Sequence, residues 1–156
     1  MNKEIPLLSE ENLQFAQEVE DWQAAIRISA QPLLDTHIIQ KEYVEKMIQN
    51  VLKLGDYIVI VPKVALAHAR PNKDSKGNGI SLLKLAKPVI FGEEKEVFLI
   101  ICLATKDNDS HLKLLSNISA LIDEEGKIEA LLQLEDKKEF IRLANHYILE
   151  EEKENA

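Results

Sequence analysis

Apolar residues follow two rhythms along this chain, and the contrast predicts its elements. Between Asp21 and Leu34, residues Trp22, Ala25, Ile26, Ser29 and Leu33 recur at helical spacing. This predicts a helix with Asp21 as N-cap and Pro32 near its last turn. After a short connector, Thr36 to Ile39, a second helix is predicted over Lys41 to Leu54. It carries Val44, Met47, Ile48 and Val51 toward the core and stops at Gly55. Unbroken apolar runs read as strands instead. Val97 to Ala104 is apolar at every position, so it needs cover on both faces. Tyr57 to Val61 is a second such run, and Pro62 cannot continue it because it has no N–H for a ladder.

The remaining segments give weaker patterns. Met1 to Ser9 reads as a lead-in, Glu10 to Glu18 as a weak helix, and Ile80 to Leu85 and Pro88 to Phe91 as two short strands, Gly92 ending the second. Asn72 to Gly79 is polar and glycine-bearing, which predicts a mobile surface loop. Asp109 or Ser110 can cap a helix whose inner face is Leu115, Ile118, Ser119 and Ile122. A short helix over Lys127 to Gln133 follows. Asp136 and Glu139 form a capping box for a last helix that packs Phe140, Ile141, Ala144, Tyr147 and Ile148. Glu150 to Glu154 reads as a charged, fraying tail.

Helices alternate with strands, but the connections around residues 80 to 100 are too short for helical crossovers. The expected fold is therefore α/β: one domain over residues 1–156, with a mixed, mostly parallel sheet sandwiched between helices. Its core covers about 5–149, and residues 150–156 form an acidic tail. A hydrophobic content of 46% excludes general disorder. No apolar run approaches the ~20 residues of a membrane span, and the N-terminus lacks the basic-then-apolar order of a signal peptide. Cys102 is the single cysteine, which excludes a disulfide framework and a cysteine metal site and suits a reducing cytoplasm. The net charge of −8 argues against binding nucleic acid through phosphates and favours partners with basic patches.

Four histidines are the candidates for chemistry. His146 lies near the end of the last helix and His37 in a connector, and both read as structural or exposed. His68 and His111 each follow an apolar strand, where open α/β sheets keep their chemistry. If the two strands point the same way, their ends share one rim of the sheet and the imidazoles can meet. Zinc binding would need a third protein ligand, and only Asp107 or Asp109 is close in sequence, with no HExxH and no cysteine pair. No nucleophile elbow marks a serine hydrolase. Phosphoryl transfer through histidine is the third option. A neutral imidazole nitrogen is nucleophilic without an added base, and the transferred group needs donors and cations around its oxygens. Arg70, the second imidazole and the N–H groups of a helix opening near Ser110 can supply these. Cys102 sits inside a strand and reads as core.

Tyr57-Ile-Val-Ile-Val-Pro62 followed by Ala65-Leu-Ala-His68-Ala-Arg-Pro71 resembles the phosphorylation-site segment of bacterial sugar phosphotransferase system (PTS) IIA components of the mannitol/fructose type. Ser81-Leu-Leu-Lys-Leu, Pro88-Val-Ile-Phe-Gly92 and Leu103-Ala-Thr-Lys-Asp-Asn-Asp-Ser-His111-Leu are most similar to the ascorbate branch. The resemblance covers about Leu34 to Ile122 and, more loosely, the whole chain. It implies a cytoplasmic phosphotransferase that needs no cofactor and no metal. The carrier protein HPr would phosphorylate His68, which would pass the group to a cysteine of a IIB protein or domain. Through IIB it would serve a membrane IIC permease without entering the membrane or touching nucleic acid. His111 matches the second active-site histidine, which hydrogen-bonds the first or its phosphoryl group. Ala67 stands where the family usually has proline, and Asn72 where the ascorbate branch is often acidic. Asn50 occupies the helix position where mannitol-type members carry an arginine, which leaves the phosphoryl site one cation fewer. The implied alternative roles are a regulatory IIA-like protein whose phosphorylation state controls a partner, and a IIA component for another sugar or polyol.

Overall fold

A computed structural model describes residues 8–70 and 74–154. After a 3-10 turn at Glu10–Asn12 come strand β1 (Leu13–Ala16), helix α1 (Trp22–Asp35) and helix α2 (Lys41–Leu54). A second 3-10 turn, Asp56–Ile58, leads to β2 (Val59–Val61) and β3 (Lys63–Ala67). The long strands β4 (Gly79–Phe91) and β5 (Lys95–Ala104) follow, then helices α3 (Asn108–Ile122), α4 (Glu125–Leu132) and α5 (Lys137–Glu154).

The five strands form one sheet in the order β1-β4-β5-β3-β2. It is mixed, as expected, but evenly so: β1 with β4 and β3 with β5 are parallel, while β4 with β5 and β2 with β3 are antiparallel. β5 lies in the middle and is apolar on both faces for the predicted reason. Ile100, Cys102 and Ala104 face the layer of α1 and α2, packing with Ile26, Leu33, Met47 and Ile48. Leu99, Ile101 and Leu103 face α3, α4 and α5, against Ile118, Leu121, Leu131 and Phe140.

α1 is capped by Asp21, whose side chain accepts the Ala24 N–H at 2.8 Å, and α2 closes at Gly55, whose φ of 91° only glycine adopts freely. Several expectations are corrected. Glu10 to Glu18 holds a strand where a weak helix was expected, because pairing with Leu82–Leu85 overrides a feeble local preference. Tyr57 to Val61 is not a strand buried on both faces. Its second half is the half-exposed edge strand β2, and the chain reverses at Pro62 into the buried β3. Three residues and a register irregularity keep that edge short. The two strands expected near residues 80 and 90 are one strand with an irregular register between Lys84 and Val89. The inner face of α3 is Leu114, Asn117, Ile118, Ala120 and Leu121, while Ser119 is exposed. Asp136 accepts the N–H groups of Lys138 and Glu139 at the start of α5, but Glu139 turns to Arg142 instead of completing the capping box. α5 continues in helical form through Glu154, past the point where a fraying tail was expected.

The polar segment before β4 is anchored. Pro71, Asn72 and Lys73 lie outside the described residues, but Ser75 Oγ donates to the Thr105 carbonyl at 2.8 Å and Asp74 pairs with Lys46 at 2.9 Å. The Gln40 N–H donates to the Asp74 carbonyl and the Lys76 N–H to that of Ile38. Side chains and backbone that are bonded and buried in this way do not behave as the mobile loop predicted from composition.

Candidate active site

β3 and β5 run parallel as neighbours, with Ala67 opposite Cys102 as their last pair. His68 is the first residue past that pair, and β5 leads within a few residues into α3, which carries His111 on its first turn. Parallel strands put both exits on one rim. The imidazole centroids are 6.2 Å apart, with the ring planes inclined at 48°. Tyr57 stands edge-on to His68, centroid to centroid 6.4 Å.

The two rings are held differently. His68 Nδ1 lies 3.2 Å from the Leu66 carbonyl oxygen. His111 Nδ1 is buried and has no hydrogen-bond partner among the described residues. Partial burial, and secondarily the neighbouring His68, hold the His111 pKa below the ordinary histidine value.

The loop into α3 is tightly built. Asp107 is its N-cap, in place of the expected Asp109 or Ser110, and its carboxylate accepts the Ser110 N–H at 2.7 Å. The backbone and side-chain hydrogen bonds from Ser110 hold the Asp107 carboxyl below the usual carboxylate range. Ser110 therefore has no free backbone N–H for a ligand. Its hydroxyl accepts from Asn78 Nδ2 at 3.1 Å, and Asn78 Oδ1 accepts the Lys106 N–H at 2.9 Å. Arg70 is exposed two residues past His68 and makes no ion pair among the described residues. Asn50 is half-buried on α2, and no hydrogen bond among the described residues ties it to the ring pair. Among the described residues no cluster of three or more His, Cys, Asp or Glu side chains could hold a metal.

Sequence reasoning passed over Tyr43, Tyr57 and Asn78. Tyr43 is 1% exposed, and its hydroxyl lies 3.0 Å from the carbonyl oxygens of Ala69 and Leu103 and 3.2 Å from the Ala69 nitrogen. The available signal was a tyrosine one turn before Met47 on the inner face of a predicted helix, since a buried phenol needs polar partners. Asn78 gave no signal within its polar segment.

Residues 6–147 match the family described as "Phosphoenolpyruvate-dependent sugar phosphotransferase system, EIIA 2". The phosphotransferase IIA component SgcA of Escherichia coli K12 is 34% identical over 121 residues, 76% of this chain and 85% of that protein. The mannitol-specific cryptic phosphotransferase enzyme IIA component of the same strain is 33% identical over 131 residues, 83% of this chain and 89% of its own. The ascorbate-specific EIIA component of that strain is 27% identical over 140 residues, covering 88% and 91%. Identity thus does not favour the ascorbate branch. The solution structure of the mannitol-specific cryptic enzyme IIA CmtB from E. coli superposes with a TM-score of 0.82 at 30% identity, covering 90% of this chain and 95% of that one. The same fold recurs in the IIA chain of the E. coli complex of enzyme IIAMtl with phosphorylated enzyme IIBMtl, with a TM-score of 0.76 at 22% identity, covering 88% and 96%. With its mixed sheet between helices and this extent of match, the chain belongs to the EIIA 2 family of the phosphoenolpyruvate-dependent sugar phosphotransferase system and is a phosphotransferase component of it.

Proposed function

We propose that this protein carries a phosphoryl group on His68, taking it from the phosphohistidine of HPr and giving it to a cysteine of a cognate IIB component. The observation that carries the assignment is the contact of His68 Nδ1 with the Leu66 carbonyl at 3.2 Å. A carbonyl only accepts, so the nitrogen facing it bears the proton and the lone pair is left on Nε2. Nε2 attacks phosphorus, the N–P bond of the donor breaks, and the donor ring recovers its lone pair. The phosphorylated ring keeps its Nδ1 proton and carries positive charge, which the Leu66 carbonyl stabilises. An attacking thiolate of IIB forms the S–P bond, the Nε2–P bond breaks, and His68 returns to its starting state. No proton has to move in either step.

His111 supports the group as a hydrogen-bond donor. Its Nδ1 is buried without a partner among the described residues, and a bare lone pair is tolerated there better than a bare N–H, so the proton is assigned to Nε2. Arg70, exposed two residues past His68, is the cation assigned to the phosphoryl oxygens. Ser110 contributes by shaping the start of α3. Asn50, uncharged, adds no cation.

Incubation with phosphoenolpyruvate, enzyme I and HPr tests the reading. Wild type is expected to take up acid-labile phosphate, and His68→Ala none. His111→Ala is expected to accept phosphate and to pass it on at least ~100-fold more slowly. Full labelling of His68→Ala would remove the site. The setting is cytoplasmic, and among the described residues no helix is long and apolar enough to cross a membrane. IIB links the chain to a IIC permease and, through it, to carbohydrate uptake.

For the carbohydrate, the motifs around His68 and His111 support ascorbate. A hexitol such as mannitol is the second reading, favoured by 33% identity to the mannitol-specific chain against 27% to the ascorbate-specific one. Deleting the gene and scoring growth on each compound separates them.

A further inference from the structure

We propose that Tyr43 is a positioning residue for phosphoryl transfer: its hydroxyl joins the backbone next to His68 to the end of β5 and so sets the spacing of the two histidines. The proposal deepens the reading of His68 as the carrier and rests on it for the kinetic part of its test.

The β3–β5 ladder ends with Ala67 opposite Cys102. One step further along each strand stand His68 and Leu103, and there the first chain leaves the sheet. The Tyr43 hydroxyl takes up the connection at that point. It accepts the Ala69 N–H at 3.2 Å and has the carbonyl oxygens of Ala69 and Leu103 both at 3.0 Å, so its single proton is shared between them. One oxygen thus ties the residue following His68 to the strand that leads into α3 and His111.

The tie is well braced. Tyr43 and Ala69 are buried, at 1% and 5% exposure. One turn along α2, Met47 Sδ meets Cys102 Sγ at 4.0 Å, so the helix bears on the same rung where the ladder stops. Burial pushes the phenol up to about 12, so the hydroxyl keeps its proton throughout the working range. A phenylalanine would fill the same space and leave two carbonyls and an amide without this oxygen. His68 would then be free to drift from the Leu66 carbonyl and from His111.

Tyr43→Phe tests this. In transfer from phospho-HPr, kcat is expected to fall by about 10- to 100-fold while KM stays within about twofold, because a displaced ring costs rate and the docking surface is untouched. The 15N spectrum of the neutral His68 ring is expected to lose its Nδ1–H preference. Phe140→Leu, a core change in the opposite layer, is the control for lost stability and should keep kcat. Unchanged kcat and an unchanged ring spectrum in Tyr43→Phe would overturn the proposal, as would an equal kcat loss in Phe140→Leu. If Tyr43→Phe does not fold, amide exchange in the wild type decides. An Ala69 N–H as protected as the sheet amides supports the tie, and exchange at the rate of a free loop overturns it. If the wild type takes no phosphate but its His68 ring spectrum responds to Tyr43→Phe, the carrier reading fails and only the hold of Tyr43 on the His68 ring stands.

Discussion

Asn78 donates to the Ser110 hydroxyl at 3.1 Å, and through the other end of the same amide it accepts the Lys106 N–H at 2.9 Å. The residue just before β4 therefore grips the loop that starts α3 from both sides, one step from His111. Asn78→Ala removes both bonds and should cost about 1–2 kcal/mol of stability. Transfer from the phosphorylated protein to IIB should slow by about tenfold or more, with phosphate acceptance still measurable. Asn78→Asp keeps the acceptor for Lys106, loses the donor and places a charge near Asp107, so only partial rescue is expected. Transfer rates equal to wild type in Asn78→Ala would show that the loop holds without the clamp.

Acid should loosen the fold through His111. Its pKa is lowered by burial first and by His68 second, so the unfolded chain binds a proton more readily than the folded one. This contribution to stability is complete above the unfolded value of about 6.5 and is lost as pH falls through the depressed folded value. Urea midpoints measured between about pH 7.5 and about pH 5.5 should fall further for the wild type than for His111→Gln. Parallel lines for the two proteins would mean that the His111 ring does not titrate as described.

Cys102 should be inert while the protein is folded. It is 0% exposed beneath α2, and burial pushes its thiol up to about 12. An aromatic disulfide reagent is expected to modify it only at the rate of global unfolding, with full reaction in denaturant. Rapid modification under native conditions would contradict the packing of Met47 over it.

Gly92 is expected to resist substitution. It ends β4 with φ at 66°, and a Cβ there would run into the carboxylate of Asp56. Asp56, which also pairs with Lys95 at 3.5 Å, would have to turn aside, and an alanine at this positive φ is strained in any case. Gly92→Ala should lower stability by about 1–2 kcal/mol or more. Gly126→Ala, where nothing lies within 4 Å of the added atom and the helix is unstrained, should be neutral or mildly stabilising. The two denaturation midpoints, compared with wild type, settle the contrast.

The elements legible in the sequence were those with long, consistent patterns. α2 ran as expected from Lys41 to a stop at Gly55, and β5 followed from eight apolar residues in a row. That His68 and His111 could meet at one rim was expected, but from the wrong strand: Tyr57 to Val61 holds β2, which runs against β3, and the unpredicted β3 is the strand parallel to β5 that delivers His68. What escaped depends on pairing across the chain. β1 exists because Leu13–Ala16 lies along β4, and nothing local in Leu-Gln-Phe-Ala demands that. The stop at Pro62 was expected, but the reversal into β3 was not, because Lys63 holds a φ of 78°, a conformation that a lysine does not advertise. The loop at residues 74–78 looked mobile because polar composition is equally compatible with free solvation and with a full set of bonds. Tyr43 escaped for the same reason: its partners are backbone atoms far away in sequence.

The brevity of β2 has a consequence for how copies of this chain meet one another. Its outer flank presents three residues, interrupted by an irregularity and closed by Pro62, and an incoming chain finds too little straight backbone there to adhere. Crowded copies should therefore stay dispersed on this side, without seeding fibrils.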